Sequence, residues 1–113
     1  MREPTFWILT ALASEPRHGY GVIQAVTALS GGRMTLQAGT LYAALDRLAA
    51  EGLVEIDREE VVDGRTRRYY RLTPPGATAL TDETDRLRTS LDAATTQLKR
   101  FGLGPATAGR FGW

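Results

Sequence analysis

The stretch LVEIDREEVVDGRTRRYYRLT, residues 53–73, decides the fold. Apolar and polar residues alternate along it, and the pair Asp63-Gly64 near its middle is typical of the turn of a β-hairpin. A two-residue turn at this pair, continued in one register, places Ile56 opposite Arg71 and scatters the apolar residues over both faces. The stretch therefore predicts a hairpin, but the turn residues alone leave its register open.

Burial of one face of the hairpin selects the register, because a shift by one residue moves every side chain to the other face. A three-residue loop of residues 62–64 gathers the apolar residues on one face, where it pairs Val54 with Leu72 and Ile56 with Tyr70. We therefore predict this loop, with Gly64 in the left-handed conformation.

The same register distributes the basic residues of the hairpin. It pairs Glu55 with Arg71 and Glu59 with Arg67, which favours a surface ladder of ion pairs for these two arginines. It leaves Arg58 opposite Arg68 and Arg65 at the tip. Because like charges face to face destabilise a hairpin, these three arginines predict an anionic partner.

Composition limits what the chain can be. Its 113 residues fit one domain, and the formal net charge of +1 means that any nucleic-acid footprint must be local. The absence of cysteine excludes disulfides and thiolate chemistry. We find no cluster of metal ligands, no catalytic triad and no phosphate-binding loop, and therefore expect no cofactor, no metal and no enzyme. The apolar run near the N-terminus is too short for a membrane span or a secretory signal, which favours a cytoplasmic location.

Helical patterns flank the hairpin. We predict three helices before it, at about residues 4–13, 20–29 and 38–51, the last closed by Gly52. In the third helix Leu41, Leu45 and Leu48 are spaced as one buried stripe, joined by Ala44. The opposite face is small and polar. It is either an ordinary solvated face or a surface that fits the major groove of DNA.

A fourth helix is predicted from about residue 75 to residue 101. Its apolar residues follow the spacing of a coiled-coil seam, which predicts packing on a second copy of the chain. The predicted dimerisation residues are Leu80, Thr84, Leu87, Leu91, Ala94, Leu98 and Phe101. We predict a flexible tail at residues 102–113, because it is rich in glycine.

Three motifs, HGYGVIQAV (18–26), GTLYAALDRLAAEGLVE (39–55) and GRTRRYYRLTPPG (64–76), resemble the PadR family of bacterial transcriptional regulators. The resemblance implies a mainly α (α+β) fold, a winged helix-turn-helix with a two-stranded wing over residues 1–74 and a long C-terminal dimerisation helix over residues 75–101. It implies a homodimeric repressor that binds double-stranded DNA at a pseudo-palindromic operator. The implied DNA-binding residues are Gln37, Gly39, Thr40, Tyr42, Ala43, Arg47, Arg65, Arg67, Arg68 and Tyr69.

The resemblance also implies release from DNA by a small aromatic or drug-like effector at the dimer interface. The implied effector-binding residues are Phe6, Trp7, Thr10, Leu87 and Leu91. We interpret His18 as a structural residue at the start of the second helix, with a phosphate contact as the alternative. A winged-helix module that binds proteins rather than DNA is the alternative to the regulator as a whole.

Overall fold

The order of helices and hairpin predicted from the sequence is confirmed in the computed structural model, which describes residues 1–102. The predicted tail therefore lies outside the described residues, except for Gly102. The elements are α1 (Glu3–Ala13), β1 (Arg17–His18), α2 (Gly19–Leu29), α3 (Ala38–Ala50), β2 (Val54–Val62), β3 (Arg65–Leu72) and α4 (Pro74–Phe101).

The sheet has three strands, whereas the sequence predicted two. The short strand β1 pairs antiparallel with β3, which places Arg17 opposite Tyr70 and His18 opposite Tyr69 in the order β1-β3-β2. A strand of two residues is too short for an alternating pattern, and for this reason the sequence did not predict it. Strand β1 fixes the start of α2 against the hairpin.

The buried core lies between the first three helices and the base of the hairpin. The predicted stripe of α3 is confirmed, since Leu41, Leu45 and Leu48 have no exposed surface and Ala44 is 9% exposed. The stripe packs with residues of α1, α2 and the sheet, namely Ile8, Leu9, Ala11, Leu12, Val22, Ala25, Val26, Val54 and Tyr70. Burial of this stripe leaves the opposite face of α3 toward the solvent.

The end of α3 has the predicted glycine. Gly52 adopts a φ of 77°, and its amide donates to the Ala49 carbonyl while the Leu53 amide donates to the Leu48 carbonyl. This pair of hydrogen bonds is the Schellman motif, which needs a left-handed residue after the helix. The chain leaves α3 at Gly52 and enters β2 two residues later.

The predicted three-residue loop of the hairpin is wrong. The turn has two residues, Asp63 and Gly64, with φ angles of 51° and 75°, and Val62 pairs with Arg65. At the base of the hairpin the predicted register holds, because Ile56 does face Tyr70. A β-bulge between Ile56 and Arg58 shifts the register by one residue. Because of this shift, the hairpin has both the favoured two-residue turn at its tip and the buried apolar pairs at its base.

The chain divides into two compact units, of which the first comprises residues 1–81 and the second begins at Asp82. The first contains the core, the sheet and the first residues of α4. In the second, α4 continues as a helix with exposed apolar residues on the predicted seam, since Leu87 is 41%, Leu91 is 65% and Phe101 is 78% exposed.

Candidate nucleic-acid interface

An open groove of about 920 Å³ separates α3 from the wing, which is the hairpin of β2 and β3. We call it the α3–wing groove. One side consists of Tyr42 and Asp46 of α3 together with the first residues of α2, and the other side belongs to the wing. Its lining residues are His18, Gly19, Tyr20, Tyr42, Asp46, Val62, Asp63, Arg65, Thr66, Arg67, Arg68 and Tyr70.

The N-terminal half of α3 is exposed beside this groove. Gln37, Gly39, Thr40 and Ala43 are exposed, while Leu41 between them is buried. A Cβ atom added at Gly39 would meet no atom within 4 Å, so the backbone of α3 is open to a close approach there. A helix with this outer face has about the diameter that the major groove of DNA accepts.

Tyr42 extends from α3 across the first turn of α2. A Cβ atom at Gly19 would lie 2.2 Å from the Tyr42 hydroxyl oxygen, so a larger residue there would displace the phenol from this position. Tyr42 is nonetheless 46% exposed. The phenol is thus held against α2 on one side and presented to the groove on the other.

The bulge changes the ion pairs that the sequence predicted for the wing. Arg68 pairs with Glu59 at 3.2 Å, and Arg58 pairs with Asp57 and Glu60 at 2.9 Å each. The prediction that Arg58 and Arg68 lack acidic partners is therefore wrong. For Arg68 the physical reason is the shift of one residue beyond Ile56, which brings Glu59 opposite Arg68 instead of Arg67. The two partners of Arg58 lie beside it on β2.

Arg65 and Arg67 are the wing arginines that the shift leaves without an ion pair among residues 1–102. Both line the α3–wing groove. Arg71, in contrast, pairs with Glu55 at 2.7 Å and with Asp57 at 3.4 Å, as the sequence predicted for Glu55. Two guanidinium groups are therefore available for an anion in the groove.

His18 and Tyr69 have structural roles beside the groove. The Gly21 amide donates to His18 Nδ1 at 3.2 Å, so the imidazole caps α2. The Tyr69 ring stands edge-on to His18, with centroids 5.3 Å apart, and the Arg58 guanidinium lies 3.9 Å from its centroid. Tyr69 does not line the groove; its ring lies between two neighbouring side chains of the sheet.

Arg47 does not line the groove either. Its guanidinium donates to Thr5 Oγ1 at 3.0 Å and lies 3.6 Å from a carboxylate oxygen of Glu51. It belongs to a smaller hollow that is lined also by Met1, Arg2, Leu48 and Leu53. The structure thus brings together Tyr42, Arg65, Arg67 and Arg68 of the predicted set but places Arg47 elsewhere on α3.

Eight lining residues were absent from the predicted DNA-binding set, namely His18, Gly19, Tyr20, Asp46, Val62, Asp63, Thr66 and Tyr70. Asp46 follows Tyr42 by four residues, a spacing that puts both on one helix face, and this signal was available in the sequence. Tyr20 is 64% exposed. Its position at the start of the second helix did not indicate this exposure. The approach of α2 to the groove depends on the pairing of β1 with β3.

The predicted effector residues of α1 are partly buried. The Phe6 and Trp7 rings meet edge to face with centroids 5.3 Å apart, and Trp7 also packs against the core. The Trp7 indole donates to Glu3 Oε1 at 3.3 Å, and the Thr10 hydroxyl donates to the Phe6 carbonyl at 2.7 Å. Leu87 and Leu91 are exposed residues of α4.

Two features are absent from residues 1–102. That part of the chain contains no helix with the length and apolar content needed to cross a membrane. It also contains no group of three or more histidine, cysteine or acidic residues placed to hold a metal ion.

Residues 8–82 match the model of the transcriptional regulator PadR-like family. The chain belongs to this family. The prediction of a regulator rather than an enzyme is thereby confirmed at the level of the family. A transcriptional regulator of Mycobacterium tuberculosis is 42% identical over 77 residues, which cover 68% of this chain and 55% of that protein. The matched segment thus spans about half the length of that relative.

Solved structures confirm the winged helix-turn-helix fold of this PadR-like chain. A transcriptional regulator from Clostridium thermocellum superposes with a TM-score of 0.70 at 21% identity, over 81% of this chain and 89% of that one. Bacillus subtilis PadR, solved in complex with operator DNA, superposes with a TM-score of 0.66 at 23% identity. That superposition covers 74% of this chain and 48% of PadR.

Proposed function

We propose that this chain is a cytoplasmic transcriptional regulator that binds duplex DNA in the α3–wing groove. The observation on which the proposal rests is the position of Arg65 and Arg67, free of ion pairs among residues 1–102, across the groove from Tyr42. Arg65 is exposed and Arg67 is half-buried opposite Glu60, and guanidinium groups that form no ion pair suit phosphate oxygens. The exposed start of α3 suits the edges of the bases.

The two sides of the groove have different roles in this proposal. Gly39, Thr40 and Tyr42 approach the base edges and supply sequence preference, while Arg65, Arg67 and the partly engaged Arg68 contact phosphates and supply affinity. Gln37 and Ala43 are exposed beside these residues and would lie next to the DNA. Phosphate contacts depend on salt because they release counterions, whereas base contacts change the preference among sequences.

Regulation in this proposal follows from assembly. The exposed seam of α4, with Leu87, Leu91 and Leu98, supports a homodimer that binds the two halves of a pseudo-palindromic operator. We propose a repressor, as the resemblance to PadR implies. The Bacillus subtilis relative in complex with operator DNA supports an operator as the class of target.

Salt-titrated binding tests the DNA-binding part. With the DNA upstream of the chain's own gene, Arg65→Ala and Arg67→Ala should each weaken binding to every duplex and reduce the salt slope by about 1. Arg71→Ala is the matched control, because Arg71 lies on the same strand, has two ion pairs and does not line the groove. Wild-type protein without salt-dependent affinity for any duplex would instead support a protein-interaction module.

The effector part of the proposal concerns a planar aromatic molecule. Phe6 and Trp7 offer aromatic faces and Thr10 lies one turn further along α1, while Leu87 and Leu91 are exposed on α4. Aromatic ligands gain burial and stacking on such side chains. In a chain that ends before Phe111, and so lacks Trp113, flat aromatics should quench Trp7 emission at micromolar concentration. The same compounds should weaken DNA binding, and unchanged emission across a broad panel contradicts the site.

A further inference from the structure

Asp46 is an exposed carboxylate on the side of α3 that lines the α3–wing groove. It has no ion pair or side-chain hydrogen bond among residues 1–102. It does not cap a helix, because α3 begins at Ala38 and ends at Ala50. The other lining carboxylate, Asp63, has a local explanation, since it occupies the left-handed first position of the wing turn. Asp46 has no such explanation.

A carboxylate in a groove that binds DNA reduces affinity, because phosphates repel it, unless its oxygens accept hydrogen bonds from the DNA. In the major groove the donors are the amino groups of cytosine N4 and adenine N6. Adenine also presents the N7 acceptor beside its amino group, which repels a second carboxylate oxygen. Guanine and thymine present only acceptors along with the thymine methyl group. Cytosine is therefore the base that suits Asp46.

The position of Asp46 on α3 suits such a contact. It follows Tyr42 by four residues on the same face, which is about 6 Å along the helix axis. Base pairs are spaced by about 3.4 Å, so Asp46 lies about two base pairs away from the position that Tyr42 approaches. Arg67 and Arg68 line the opposite side of the groove and attract the phosphates on either side of the bases.

We propose that Asp46 is a specificity-determining residue, which accepts a hydrogen bond from the N4 amino group of a cytosine in each half-site. This inference rests on the proposed function, because it assumes that duplex DNA occupies the α3–wing groove. It predicts the preferred base at one position of each half-site, and it names the cytosine amino group as the partner of the unpaired carboxylate.

Selection from a pool of randomised duplexes tests the inference with the full chain. Wild-type protein should enrich a cytosine at one position of each half-site by about tenfold or more. Asp46→Asn should change the preference at that position to adenine, because asparagine pairs with adenine N6 and N7. Asp46→Ala should lose the preference at that position and leave the other positions unchanged.

Asp92→Asn is the control for charge, since it removes an exposed carboxylate from α4, outside the groove; it should leave the selected sequence unchanged. If both Asp46 variants select the wild-type sequence and merely bind all duplexes more tightly, Asp46 is a repulsive charge and the inference is wrong. If wild-type protein retains no duplex at all, the proposed function itself fails, and the inference fails with it. Thermal melting of each variant establishes that the exposed substitutions leave the fold intact.

Discussion

At the scale of single residues, His18 both caps α2 and lines the α3–wing groove. Its Nδ1 accepts the Gly21 amide, so the proton of the neutral imidazole is on Nε2. Burial lowers the pKa of His18, and the charge of Arg67 lowers it further, while Glu60 opposes both effects. The structural role that the sequence predicted for His18 is therefore observed as a helix cap. The cap requires the neutral form.

The lowered pKa of His18 predicts a pH dependence of stability. The unfolded chain takes up the proton near the ordinary histidine pKa of about 6.5, before the folded chain does. The stabilising contribution is thus present above that pH and is lost as pH falls through the folded pKa. Chemical denaturation at pH 7.5 and pH 5.5 should show this loss in wild-type protein.

His18→Asn is the control for the pH dependence, because asparagine also caps helices but does not titrate. The variant should lose less stability than wild type over the same pH interval. An equal loss in both proteins would mean that other groups cause the pH dependence.

At the scale of secondary-structure elements, Thr73 fixes the start of α4 to the segment that connects α3 with β2. Its amide donates to the Leu53 carbonyl at 3.1 Å, and its hydroxyl donates to the Gly52 carbonyl at 2.6 Å. The same hydroxyl oxygen accepts the Gly76 amide at 3.1 Å and caps the helix. Gly76 is buried here, and an added Cβ atom would lie 2.1 Å from the Leu53 carbonyl oxygen.

Gly76→Ala should destabilise the chain by about 1–3 kcal/mol, because a backbone carbonyl cannot move aside as a flexible side chain does. Gly39→Ala is the matched substitution in an open helical position, where alanine should stabilise by up to about 1 kcal/mol. Urea denaturation measures both. A Gly76→Ala variant as stable as wild type would contradict the close packing at Leu53.

The wing shows how far the sequence could predict an element. Alternation and the Asp63-Gly64 pair predicted the hairpin, and the apolar face predicted the register at its base. The pattern could not reveal the bulge beyond Ile56, because alternation along the sequence assumes one register for the whole hairpin. The position of a bulge depends instead on how the base of the hairpin packs on the core. The missed bulge misplaced the ion pairs of Arg67 and Arg68. The third strand and the position of Arg47 depend on tertiary contacts in the same way.

At the scale of the whole molecule, the apolar seam of α4 requires a partner surface. Leu91 is 65% exposed and Leu98 is 46% exposed, and an exposed apolar stripe with heptad spacing favours association of helices. The sequence predicted this stripe from its spacing alone. The homodimer that it implies remains a prediction, because assembly involves a second chain.

Leu91→Glu should convert the dimer into a monomer, because it places like charges across a two-fold axis. Light scattering at micromolar concentration should show twice the chain mass for wild type and the single chain mass for the variant. Thr89→Glu is the control, since it adds the same charge to an exposed α4 position outside the predicted seam. Wild-type protein that is monomeric at this concentration would rule out the dimer.

Whether DNA occupies the α3–wing groove is tested most directly by titrating the ¹⁵N-labelled protein with the DNA duplex upstream of its gene. The chemical shifts of the backbone amides are the readout. If DNA occupies the α3–wing groove, the largest changes should occur at groove residues such as Gly19, Tyr42 and Arg67. The amides around the Thr5–Arg47 contact should change little, because that contact lies outside the groove lining. Changes centred on Thr5 and Arg47, with Gly19 and Arg67 unaffected, would contradict the claim.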